Sequence, residues 1–425
     1  MERNFHKYKW AGLVTFALMY SLVYLGRFNV NSFMENIAKD LQVSFMQQQI
    51  LSISIFVSYA AGSFVNGYIA DRLGGKKTAV LGGVMTIILN MLTSFQSHWV
   101  PMLCLWVLNG YCQSMVWVGG VQYLSQWWAA SERGKGIGIA NFSSGISHAA
   151  AYSFPLILLV LWPDLGWRES FLTLMFLFLF FVGMFQLCAV ERPQDKGLAP
   201  YEPESKKVRL REEYLKKIRE QKRMPWPYLL RQKKFIWWCM LALFSSICRY
   251  GLLNWIPFYF NGQKESIVIS DFFLNLTLPV GMAFGTLILT WAAGSKIPEN
   301  KGLLVTALAA MCGTLTLIVP MMQESQAVLV GVFLAGFALY GINGILWLHA
   351  IEQGSRISSG SAAGIINCFA YLGASLEGII FPLILRWSHT SISVFVVMEV
   401  LCIAMVFCGM VVSRKNTIVM PEIRE

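Results

Sequence analysis

ERPQDKGLAPYEPESKKVRLREEYLKKIREQKRMPWPYLLRQKK, residues 191–234, is a long polar stretch carrying fourteen Lys and Arg in a chain that is otherwise strongly apolar. Apolar runs near 11–33, 47–70, 78–95, 101–125, 135–161 and 170–190 precede it. Runs near 235–260, 272–293, 302–322, 327–350, 360–385 and 391–413 follow it. Each has about the twenty residues that an α-helix needs to cross a hydrocarbon core of roughly 30 Å. Six runs, a charged connector and six more runs predict an all-α membrane protein with twelve transmembrane helices in two six-helix halves. The halves are expected over 1–190 and 235–425, joined by a linker over 191–234, with a substrate site between them near mid-membrane.

Composition agrees with that reading. The chain is 56% hydrophobic and only 13% charged, against roughly 25% charged in soluble proteins. A net charge of +11 would suggest a nucleic-acid partner only if it formed one basic patch, and it does not. The Lys and Arg fall instead between the apolar runs. With the N-terminus taken as cytoplasmic, twenty-eight lie on that side and four on the other: Lys39, Arg168, Lys264 and Arg386. The asymmetry predicts a multi-pass protein of the cell (plasma or inner) membrane, with both termini and the linker cytoplasmic. The first run is too long for a cleaved leader and is expected to stay as the first helix. The mixed charges of the linker predict a short surface helix lying on the lipid bilayer.

The nine cysteines, Cys104, Cys112, Cys188, Cys239, Cys248, Cys312, Cys368, Cys402 and Cys408, sit in apolar stretches without a CxxC pair. They are expected to be inert packing residues. The chain contains no phosphate-binding loop, metal-ligand set or catalytic triad, so it is read as a non-enzyme without cofactor or metal.

Two basic residues remain inside the apolar runs, Arg27 in the first and Arg249 in the seventh. An arginine in mid-membrane costs about 2.5–3.5 kcal/mol on insertion scales and marks a functional site by default. These two lie at matching depths in the two halves, roughly 21–24 Å along their helices. Two guanidinium forks facing one cavity are suited to a phosphate or carboxylate. The competing reading pairs each with a buried acid, Glu377 or Glu399. Tyr20, Tyr24, Tyr59, Trp117, Asn141, Tyr340, His349 and Tyr371 are other polar or aromatic groups in the apolar runs, and each taken alone reads first as a packing or interfacial residue. Gly134, Gly136, Gly138, Gly281 and Gly285 are expected at close helix contacts.

The run Tyr20, Tyr24, Arg27, and Arg249-Tyr250-Gly251 followed by Asn254-Trp255, resemble the first and seventh helices of the organophosphate:inorganic phosphate antiporters of the major facilitator superfamily. Gly67 through Asp71-Arg72, Glu132-Arg133-Gly134, Leu348-His349-Ala350 with Glu352, Ala362-Ala363-Gly364 and Tyr371-Leu372-Gly373 are similar too. The resemblance covers nearly the whole chain. It implies the major facilitator fold and alternating access around Arg27 and Arg249, with Tyr20, Tyr24, Tyr59, Trp117, Asn141, Tyr340 and Tyr371 lining the path. The implied substrate is a small organic anion such as a sugar phosphate or glycerol phosphate, with inorganic phosphate or protons as coupling species. Ser63 stands where that family has a lysine and Ser144 where it has a histidine, so two cations are missing from the expected site. Glu377 and His349 are candidates for coupling or selectivity. The alternative is a membrane sensor that binds a sugar phosphate and signals to a partner protein, as one branch of the family does.

Overall fold

The computed structural model describes residues 2–201, 206–262, 270–297 and 299–414. Lys264 and the tail residues Lys415 and Arg424, used above for sidedness, lie outside them. Before the linker come α1 (Glu2–Tyr20), α2 (Leu25–Ser32), α3 (Met34–Leu41), α4 (Phe45–Leu73), α5 (Gly75–Ser94), α6 (Trp99–Trp127), α7 (Ala130–Leu161) and α8 (Trp167–Cys188). The linker carries α9 (Lys206–Glu220) and α10 (Trp226–Leu230). After it follow α11 (Lys233–Asn261), α12 (Asp271–Ser295), α13 (Lys301–Ile318), α14 (Ser325–Ser388) and α15 (Ile392–Ser413).

Among the described residues, nine helices are long and apolar enough to cross a membrane. Helix α14 counts once among these but contains two spans. Its backbone leaves helical geometry at Ser355 (φ 54°, ψ −158°) and Ser358 (φ −137°, ψ 28°), which divides it into arms over 325–354 and 359–388. Helices α6 and α7 are not among the nine but are long enough to cross as well, and α6 carries interior polar groups such as Asn109 and Gln113. With these the twelve expected spans are all present.

The first span departs from the expected continuous helix over 11–33. It begins at Glu2 and breaks between Tyr20 and Leu25, where the backbone tightens to bonds such as Val23 N–H to Tyr20 O and Gly26 N–H to Val23 O. Carbonyls freed in mid-membrane need other donors. Gln113 donates to Val23 O at 3.1 Å, and Asn109 and Asn90 donate to Gly26 O at 2.8 and 3.2 Å. The break sets Arg27 just beyond it, at the start of α2.

The two sets of six spans meet along two seams, α4 against the second arm of α14 and α7 against α12. Both depend on missing side chains. A Cβ at Gly67 would lie 2.3 Å from Gly360 O, and one at Gly134 would lie 2.6 Å from Thr290 O. Gly281 and Gly285 face the Phe333 and Phe337 carbonyls of α14, and Gly136 faces the Trp128 ring. The expected close contacts are therefore present at these positions.

At the linker end the first seam is pinned by Asp71, whose carboxylate accepts from Gly360 N–H (2.8 Å), Ser361 N–H (2.9 Å) and Ser361 Oγ (2.5 Å). The break at 355–358 starts a fresh helix, and its open N–H groups and positive dipole end suit a carboxylate. Helix α9 lies over the same break rather than on lipid as expected. Glu212 takes the Arg356 guanidinium (2.8 Å) and the Ser355 hydroxyl (2.5 Å), Arg211 donates to Glu352 O, and Leu215 is fully buried. Two of the helix's charges, Arg211 and Glu212, have protein partners about 140 residues away, which periodicity does not reveal.

Burial alone would raise the Glu212 pKa, but the hydrogen bonds from Arg356 and Ser355 and the Arg356 charge outweigh it and hold it below the usual carboxylate value. The sign follows from linkage. A depressed folded-state pKa stabilises docking above the unfolded value of about 4.3, and that stabilisation is lost as pH falls through the folded value. Glu212→Gln is expected to release α9 at neutral pH, with a cost of about 1–2 kcal/mol. Endoproteinase Lys-C should then cut the linker roughly 5- to 30-fold faster, and an unchanged rate would show that α9 is held by its apolar face alone.

Candidate functional site

Arg27 and Arg249 come from equivalent helices of the two halves and both are buried, at 1% and 5% exposed. Arg27 donates from Nε to Gln113 Oε1 at 2.6 Å and from Nη1 to the Tyr371 hydroxyl. Its guanidinium lies 4.2 Å from the Tyr24 ring centre and 4.4 Å from that of Tyr59. Arg249 donates from Nη1 to the Tyr340 hydroxyl at 3.2 Å and stacks over Tyr250 at 4.4 Å. Among the described residues neither forms an ion pair. Arg27 Nη2 and Arg249 Nε have no hydrogen-bond partner at all. Two cations are thus held out of water by π faces, neutral oxygens and no counter-charge, and such an arrangement is costly until an anion arrives.

Beside them is a cavity of about 280 Å³, lined by groups that include Tyr20, Tyr24, Trp117, Asn141, Arg249 and Tyr371. Five of the expected path residues therefore line it together with Arg249. Tyr59 and Tyr340 stand one layer back. Tyr59 stacks on Tyr371 at 4.0 Å, and Tyr340 bonds Arg249 and, at 3.3 Å, Ser144. Arg27 is also one layer back, enclosed by Tyr24, Tyr59 and Tyr371, so an anion reaches it only when one of these rings moves.

Asn141 donates across the seam to Thr286 Oγ1 (2.7 Å) and Asn343 Oδ1 (3.0 Å), and Asn343 also accepts from Trp347 Nε1 (2.6 Å). These bonds join the halves through side chains that line the cavity. The remaining wall residues Asn343, Trp347 and Asn367 were not singled out from the sequence, nor was Gln113. His148 was missed as well. Its ring packs 4.5 Å from Tyr24, its Nδ1 meets Ser144 O at 2.8 Å, and its Nε2 has no partner. The spacing 141, 144, 148 on one helix is the signal that would have found it, because residues three, four and seven apart share a face.

Three expectations change. Glu377 does not pair with an arginine but accepts from Asn254 Nδ2 (3.3 Å) and Trp255 Nε1 (3.1 Å) of α11. It follows Tyr371 by six residues, about 120° away around the helix, and so faces a different neighbour. His349 lies outside the cavity, stacked on Trp238 at 4.3 Å and 3.7 Å from Glu352, which also takes Lys301. Nine residues from Tyr340 amount to about 13 Å of rise and half a turn, which moves it toward the linker end and off the cavity face. Ser63 is fully buried against α14, where its hydroxyl accepts from Asn367 Nδ2 at 3.0 Å. It supports a wall residue instead of forming the wall.

Comparison with known proteins agrees with this architecture. The chain is 25% identical over 400 residues to the "Probable hexose phosphate transport protein" of Chlamydia pneumoniae, covering 89% of this chain and 85% of that protein. It is 24% identical to the "Membrane sensor protein UhpC" of Escherichia coli (strain K12), covering 86% and 83%. These relatives match the organophosphate:phosphate antiporter branch that the first- and seventh-helix residues resemble. The solved proton:xylose symporter XylE, bound to 6-bromo-6-deoxy-D-glucose, superposes with a TM-score of 0.69 at 14% identity, over 94% of this chain and 95% of that one, which shows a shared fold. The family model described as Major Facilitator Superfamily matches residues 16–376, and the chain belongs to that superfamily.

Proposed function

We propose that the protein is a secondary transporter that carries a small organic anion, of the sugar phosphate or glycerol phosphate class, by alternating access. The observation that carries this reading is the pair of buried guanidinium groups, one from each half, beside a shared cavity with no carboxylate among the described residues to neutralise them. An anion that bridges them supplies the missing charge and draws the halves 1–190 and 235–425 together. Tyr20, Tyr24, Trp117, Asn141, Tyr340 and Tyr371 shape and line its path, while Tyr59 keeps Tyr371 and Arg27 in place. Inorganic phosphate or protons serve as the counter-species. The excess of basic residues on one side supports a cytoplasmic linker and cytoplasmic termini at the plasma or inner membrane.

Function as a sensor for a sugar phosphate is the second reading, favoured by the likeness to a protein named as a membrane sensor. Uptake separates the two. Vesicles that contain only this protein and are loaded with inorganic phosphate should take up labelled hexose phosphate faster than empty ones. Binding without flux would make the protein a sensor, and absence of both would remove the proposed substrate class.

A further inference from the structure

A second, small and partly open pocket lies at the linker end, with walls from both halves and from the strap between them. Helix α4 contributes Tyr68, Asp71 and Arg72. Arg219 and Arg223 come from the linker, and Ser358 from the break in α14. Three guanidinium groups thus line one small space. Asp71 is the acid among these residues, and its oxygens are already engaged by Gly360 and Ser361. Among the described residues Arg72, Arg219 and Arg223 form no ion pair. Arg72 packs over Tyr68 at 5.2 Å, and its Nη2 is buried without a hydrogen-bond partner. Burial, and then the like charges of Arg192 and Arg72 against a partial offset from Asp71, push the Arg219 pKa below the ordinary guanidinium value. Such a cluster repels itself until a counter-ion enters.

We infer that this cavity is a second anion site that takes a phosphoryl group, either free phosphate or the headgroup of an anionic lipid. Guanidinium forks bind phosphoryl oxygens two at a time, and here three forks converge from two separate segments. The cavity exists only while α4, α9 and the α14 break are together. By linkage, a ligand that binds this assembled form and not the separated one stabilises the closed linker face. The bound anion is a latch on that face, and it acts whatever the central cavity carries.

The test uses the full chain with Arg27→Ala and Arg249→Ala, so that the central arginines do not contribute. In discs of phosphatidylcholine, calorimetric titration with inorganic phosphate should show a saturable step. Adding Arg219→Gln with Arg223→Gln should weaken it at least tenfold, and so should Arg72→Gln alone. Arg223 is exposed and Arg219 half-buried on the strap, and gel filtration of both variants checks that the fold is kept. If the occupant is a headgroup, phosphate does not bind in those discs. Replacing part of the lipid with phosphatidylglycerol should then slow Lys-C cleavage of the linker at least fivefold, and Arg219→Gln with Arg223→Gln should abolish that protection. Lys-C leaves arginine alone, so these variants do not remove its cleavage sites. Neither binding nor protection, or either one unaffected by the arginine changes, would overturn the proposal.

Discussion

Arg27→Ala and Arg249→Ala are each expected to weaken anion binding at least tenfold while the protein stays folded. Each change removes a charge-assisted contact worth about 1.5–3 kcal/mol, or roughly a 10- to 150-fold loss of affinity. The fold should survive because a buried, unneutralised guanidinium is itself a cost that alanine relieves. The partners left behind, the Gln113 amide oxygen with the Tyr371 hydroxyl, or the Tyr340 hydroxyl, are neutral. Lysine should not restore binding fully, because it keeps the charge but loses the fork that reaches Gln113 and Tyr371 together. Calorimetry with a hexose phosphate measures the effect, and near-normal affinity in either alanine variant would remove the central claim. The two losses need not add, since both residues hold one ligand.

Gly67→Val should slow transport by a different route. Its new Cβ would lie 2.3 Å from the Gly360 carbonyl oxygen, a backbone atom that no rotamer change can move. Helices α4 and α14 must therefore part by more than an ångström, and Asp71 is drawn off the Gly360 and Ser361 N–H groups. Overpacking of this kind costs about 1–3 kcal/mol, which disfavours the closed linker face about 5- to 150-fold. Uptake into vesicles should fall by a comparable factor. Binding should persist, because the cavity residues Arg249, Asn141 and Tyr371 are not touched. Wild-type uptake by this variant would mean that the α4–α14 seam does not separate and close during transport.

These two expectations concern opposite features of the same interface. At the cavity two buried guanidinium groups lack a counter-charge among the described residues. At the linker end glycine contacts, the Asp71 carboxylate and the docked α9 hold them together. A ligand that neutralises the first gives the halves reason to rearrange, and the second sets what must break for the linker face to open.

Much of this was legible in the residue order, because a membrane imposes strong local rules. A helix must be about twenty apolar residues long, so the twelve spans can be counted, and two arginines among such residues stand out as exceptions. Tyr20, Tyr24 and Arg27 stand in one apolar run, so their place in the first span was legible, whereas the break between Tyr20 and Leu25 that separates them was not. Pairings between segments are not local and left no such trace. The spacing does not say whether Glu377 meets an arginine or Asn254 and Trp255, because that depends on which helix lies 120° around from Tyr371. It equally leaves open that Glu212 reaches Arg356, or that Arg72, Arg219 and Arg223 close on one cavity. The sequence by itself determined the number of spans, the halves expected on either side of 191–234, and the charge of the central site. Only the tertiary structure decided which buried polar groups share a cavity, where the first span breaks, and how the linker straps the α14 break, because burial and hydrogen bonding between distant segments depend on packing rather than on order along the chain.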